Sequence, residues 1–284
     1  MKRTRLLLLL CIPLFSVIAL AHEFWLSPQK FFYTIREVAN IRFLVGEKFT
    51  GMNWTGNKDK IQQLHLVTPS GTITDLAPRL STNKSDSLQL PLSEEGTHMV
   101  IFQSTNSFIS LEAAKFNEYI QEDGLDFTAA YRKQHHEEQV KGTEYYQRSV
   151  KTIFQVGSKV TDDCREATSL PLDIIPGSNP YALPAEGTKN GFQKMKFRIL
   201  FMGKPLPDVL VKIWYHPALN QIIMDTVRTN KKGWFTAERH PGPNMVSCVY
   251  MQPNQTDTIA QWQSYWSSLS FEYSQFFPRT GRNK

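Results

Sequence analysis

The chain is poor in the residue patterns that announce chemistry. It has three cysteines in 284 residues and no Cys-x-x-Cys pair, so a dithiol redox centre or closed zinc site has no motif to rest on. There is no Gly-x-Ser-x-Gly elbow and no glycine-rich phosphate loop. Without a nucleophile–base pattern, the expected class is non-enzymatic. Charge of one sign is also scarce. The formal net charge is +6, and setting aside Lys2, Arg3 and Arg5 leaves +3, too little and too dispersed for a nucleic-acid-binding surface. Beyond the first 21 residues no apolar run approaches the ~20 residues that a membrane-spanning helix needs.

What is present begins at the N-terminus. Residues 1–21 have a basic start, an apolar run from Leu6 to Leu20, and the small-x-small ending Ala19-Leu20-Ala21, the three parts of a signal peptide. Cys11 sits inside the apolar run, away from the position of a lipid-attachment cysteine. The expectation is cleavage near Ala21 and a periplasmic or extracellular protein whose first residue is His22. A terminal histidine offers an α-amine and an imidazole nitrogen to one Cu, Ni or Co ion. The competing reading makes His22 the first residue of an edge strand, anchored by Phe24 and Trp25.

The remaining text reads as mainly β. Ile41, Phe43 and Val45 alternate with Asn40, Arg42 and Leu44, and short strand-like runs recur between turn formers. Glu94-Glu95-Gly96-Thr97-His98 resembles the corner of an immunoglobulin-like sandwich, with His98 in place of the tyrosine and expected to bond backbone. The expected first domain is therefore an immunoglobulin-like β-sandwich over residues 22–157. A helical insertion over ~111–148 interrupts it, with one amphipathic helix ended by Asp123-Gly124 and a second from Asp126 to about Gln139. A turn of helix is expected at Glu144 to Gln147. Residues 158–168 read as a linker, 169–276 as a second β-sandwich, and 277–284 as a polar tail.

Other candidates for chemistry are few. His135 and His136 lie on the second expected helix, and neighbours there point ~100° apart, so the two do not readily grip one ion; a solvated helix face is the alternative. Cys164 and Cys248 are the cysteines left after the leader, and in an oxidising compartment they either pair or remain two thiols. Trp262, Tyr265, Trp266, Phe271 and Tyr273 form an aromatic cluster whose alternation suits packing between layers better than sugar stacking.

Several stretches carry a family resemblance: His22-Glu23-Phe24-Trp25-Leu26, Phe116-Asn117-Glu118-Tyr119, Tyr146-Gln147-Arg148-Ser149-Val150-Lys151, Leu172-Asp173-Ile174-Ile175-Pro176 and Trp262-Gln263-Ser264-Tyr265-Trp266. In this order they resemble the domain of unknown function 4198 family of exported bacterial proteins. The resemblance implies an immunoglobulin-like first half and a transthyretin-like or carboxypeptidase-regulatory-like second half. It also implies a relation to nickel and cobalt uptake, with a membrane transporter or another exported protein as partner. Where relatives carry a His-Met pair this chain has Tyr250-Met251, one ligand fewer. Two functions stand against each other: an exported accessory protein holding nickel, cobalt or copper through His22, and a structural or adhesive surface module without metal. A copper oxygenase on the N-terminal histidine is the enzyme alternative, and it needs a second histidine facing His22.

Overall fold

The computed structural model describes residues 23–80, 86–182, 194–216 and 222–273. The leader, His22 and the tail 277–284 lie outside the described residues. Aromatic and β-branched runs become strands throughout. The chain opens with β1 (Glu23–Pro28), β2 (Phe32–Tyr33), β3 (Val38–Glu47) and β4 (Thr50–Asn53). Then come β5 (Ile61–Val67), β6 (Ile73–Asp75), β7 (Ser87–Pro91), β8 (Gly96–Ser104) and β9 (Ser107–Leu111). Helices α1 (Ala113–Glu122) and α2 (Asp126–Gln134) precede the long β10 (Gly142–Val156). The remainder is β11 (Leu172–Pro176), β12 (Lys194–Phe201), β13 (Lys204–Pro205), β14 (Leu210–Tyr215), β15 (Ile223–Arg228), β16 (Trp234–Glu238), β17 (Gly242–Pro253) and β18 (Trp262–Tyr273).

The protein is mainly β with several sheets, as expected, but the two halves are not closed off from each other. A central sheet runs β15-β14-β17-β18-β10-β8-β5-β6 through both. Its join is the parallel pairing of β10 with β18, Glu144 opposite Trp262 through Thr152 opposite Ser270. A sheet of β1, β3, β4 and β7 and another of β11, β12, β13 and β16 pack on it.

Strand β8 shows why this arrangement escapes a pattern search. All nine of its residues are buried. Val100 and Phe102 join the core under the β1–β3 sheet, with Phe24, Phe43 and Phe154. Met99 and Ile101 face the opposite core, with Ile174, Phe197 and Leu269. A strand covered on both sides has no polar face, so it reads as a continuous apolar run. Strand β18 alternates instead between two buried environments. Tyr265, Leu269 and Phe271 enter the core beneath the β11–β12 sheet, while Trp262 and Trp266 pack on the helices. Its serines close the edge of β1: Ser268 Oγ donates to the Phe24 carbonyl at 2.6 Å and Ser270 Oγ to the Leu26 carbonyl at 2.6 Å.

The helical insertion is shorter than expected. Helix α1 buries Phe116, Tyr119 and Ile120 and stops where Gly124 takes φ +61°. The Leu125 amide then donates to the Ile120 carbonyl at 2.8 Å, closing the helix end. Helix α2 ends at Gln134, not Gln139, because His136 adopts φ +57° and buried Arg132 gathers the turn that follows. Its guanidinium donates to the carbonyls of Glu137 and Val140 at 2.6 Å each and lies over the Phe116 ring at 4.8 Å. Glu144 to Gln147 is strand, not helix, since it pairs on one side with β18 and, as far as Tyr146, with β9 on the other.

The stretch 158–168 is also no loose linker. Gln155 Nε2 donates to the Lys159 carbonyl at 2.7 Å, Asn179 Nδ2 to the Thr161 carbonyl at 2.5 Å, and Cys164 is buried. Cys164 and Cys248 are separate buried thiols. Burial pushes the Cys164 thiol up to about 12 and the Cys248 thiol up as well, which makes both poor nucleophiles.

Candidate functional site

Strand β1 begins in a seam between the β1–β3 sheet and helix α1. Glu23 is held there by pairing with Gly46, Asp123 by the turn that ends α1, and Lys212 by β14, where it interrupts the buried residues Val211 and Ile213. Lys212 Nζ meets Asp123 Oδ1 at 2.6 Å and Glu23 Oε1 at 3.7 Å. Together with Glu47, Lys48, Glu118, Glu122 and Met224 they line an open cleft of about 470 Å³. Five carboxylates against two lysines give the cleft a negative balance.

Burial controls the charges. It raises the Glu23 carboxyl from 4.5 to about 7, against the pull of Lys212 and with some help from Asp123. Burial raises Asp123 as well, again opposed by Lys212. Burial works against the Lys212 ammonium, but Asp123 and Glu23 outweigh it and its pKa is raised. Behind α1, Glu144 is fully buried and accepts a hydrogen bond from the Tyr119 hydroxyl at 3.2 Å. Burial lifts its carboxyl from 4.5 to about 8. Glu23 thus titrates near neutrality and Glu144 is mostly protonated there, both as consequences of desolvation.

The residues singled out in the sequence fall elsewhere. His22 lies outside the described residues, directly before Glu23. His135 and His136 are exposed at the end of α2, His135 stacked on Tyr131 at 4.1 Å, and neither lines the cleft. His98 is buried, its Nδ1 within 3.2 Å of the Gly96 carbonyl and its ring stacked on Phe154. Met251 is buried beneath the helices, and Tyr250 packs on Phe201. The aromatic cluster is divided between two cores and offers no exposed platform. Among the described residues no group of three or more His, Cys, Asp or Glu side chains could hold a metal ion. Sequence reasoning missed Glu23, Asp123 and Lys212 as a group. The available signal was a lysine inside the apolar run of β14 and a glutamate opening the first strand.

Residues 19–252 match a family described as Domain of unknown function (DUF4198). No curated protein matches the chain in sequence. Among solved structures, the D0-D1 domain of Intimin is similar at 12% identity, with 87% of this chain and 97% of that chain covered and a TM-score of 0.20. The alpha-2-macroglobulin of E. coli is similar at 8% identity, with 88% and 14% covered and a TM-score of 0.20. A tetra-tandem repeat from a large adhesion protein is similar at 10% identity, with 88% and 49% covered and a TM-score of 0.21.

Proposed function

We propose that this chain, which belongs to the DUF4198 family, is an exported accessory protein that binds a cation at the cleft where β1 begins. The observation carrying this reading is the convergence of Glu23, Glu47, Glu118, Glu122 and Asp123 on one cleft. His22 directly precedes Glu23 in the sequence, so a chain cleaved after Ala21 begins one peptide bond before a residue of the cleft. The α-amine and imidazole of His22 are then the primary ligands of a nickel, cobalt or copper ion, and the acidic rim favours the cation electrostatically. The carboxylates alone are not a ready cage, so the metal reading depends on that terminal pair.

The role is non-enzymatic, with a membrane transporter or another exported protein as partner. An oxygenase would need a second imidazole facing His22, and none of the described histidines lines the cleft. The rival function is a structural or adhesive surface module, to which the immunoglobulin-like and transthyretin-like reading of the two halves lends itself equally, because fold does not dictate function. Calorimetry with Cu(II) or Ni(II) separates the two. Protein with an authentic His22 terminus, verified by mass spectrometry, binds as amine and imidazole deprotonate. A version with one extra residue before His22 loses most of that affinity. Equal binding by both versions favours the structural module.

A further inference from the structure

Away from the cleft, one charged pair is enclosed entirely. Lys151 of β10 and Asp173 of β11 have side chains only 1% and 2% exposed, and Lys151 Nζ stands 2.5 Å from Asp173 Oδ1. Short as this contact is, it lacks the angles of a hydrogen bond, and neither atom has another hydrogen-bond partner among the described residues. The other oxygen is treated differently. Asp173 Oδ2 accepts from the Thr168 amide at 2.7 Å and from the Thr168 hydroxyl at 3.0 Å.

An ordinary buried ion pair survives desolvation by satisfying its remaining protons and lone pairs. Here an ammonium with three protons has no aligned acceptor among the described residues. The carboxylate, by contrast, is polarised through one oxygen and bare at the other. We propose that Lys151 and Asp173 condense to an intramolecular amide bond that ties the central sheet to the β11–β12 sheet. In this step the Nζ–Cγ bond forms and the Cγ–Oδ1 bond breaks. Two protons of the ammonium go to Oδ1, which leaves as water, and the third remains as the amide N–H. Oδ2 becomes the amide carbonyl. Nothing is oxidised or reduced, and no co-reactant is needed.

The geometry supplies what such a condensation requires. The fold holds nucleophile and carbon together, which replaces an encounter in solution by a preorganised contact. The two Thr168 donors sit at distances suited to an oxyanion on Oδ2. The product carries no charge, so the desolvation cost of two buried ions disappears with the water.

The test is intact mass spectrometry of the purified, denatured wild-type chain, with its N-terminus identified from the terminal peptide. The wild type is expected to be lighter by one water than its sequence requires. Tryptic digestion should leave a branched peptide joining the segments around Lys151 and Asp173, uncleaved after Lys151. The K151R and D173A variants should carry their full linear masses and yield no branched peptide. A wild-type chain of full linear mass, from protein whose circular dichroism is mostly strand before denaturation, overturns the proposal and leaves the pair an ion pair.

Discussion

Replacing Glu144 with glutamine isolates the energetic cost of a buried acid. The side chain is fully enclosed behind α1 and accepts the Tyr119 hydroxyl, and glutamine keeps both the shape and an acceptor oxygen for that bond. The carboxyl is raised by burial from 4.5 to about 8. A raised folded-state value means that the native protein holds its proton while the unfolded chain releases one. The contribution to stability is therefore intact below about pH 4.5 and is lost as the pH rises to about 8. At about 1.36 kcal/mol per unit, that displacement corresponds to roughly 4–5 kcal/mol over the interval. Glu144→Gln removes this slope. Urea unfolding at pH 5 and pH 9 should show the variant close to wild type at the lower pH and more stable by a few kcal/mol at the higher one. Glu23 contributes a slope of its own between about pH 4.5 and 7, which both proteins share and which cancels in the comparison. An unchanged difference between the proteins at the two pH values would refute the assignment of Glu144 as a buried, proton-holding acid.

Lys212→Met leaves Asp123 and Glu23 without their shared cation. Since the site is open on one side, the expected loss at pH 8 is about 2 kcal/mol, below the usual cost of breaking a fully buried pair, and it shrinks toward pH 5 as Glu23 takes up a proton; denaturant unfolding at the two pH values checks this. Arg132→Met removes the donors that hold the Glu137 and Val140 carbonyls, with an expected loss of about 2–3 kcal/mol and faster proteolysis within 135–141, read by limited digestion and mass spectrometry.

Strand type, the position of α1 and its stop at Asp123-Gly124 were legible in the sequence, because hydrophobic periodicity and a glycine able to take positive φ are local signals. The end of α2 was not, since it depends on Arg132 reaching carbonyls five and eight residues ahead. Tyr145 and Tyr146 favour strand by propensity, and pairing with β9 and β18 fixes that state. His98 could be placed at a backbone-bonding corner from its motif alone, whereas the stacking partner Phe154 comes from β10.

By itself the sequence determined the β-rich class and the scarcity of catalytic motifs, both of which are written in contiguous residues. Only the tertiary structure decided that the halves share a sheet, because a parallel pairing of β10 with β18 joins segments more than a hundred residues apart and leaves no local mark. The same holds for the charged groups. Glu23, Asp123 and Lys212 meet in one cleft, and Lys151 meets Asp173, through long-range strand placement. Burial then sets their chemistry, and burial is a property of neighbours that no single stretch of chain contains.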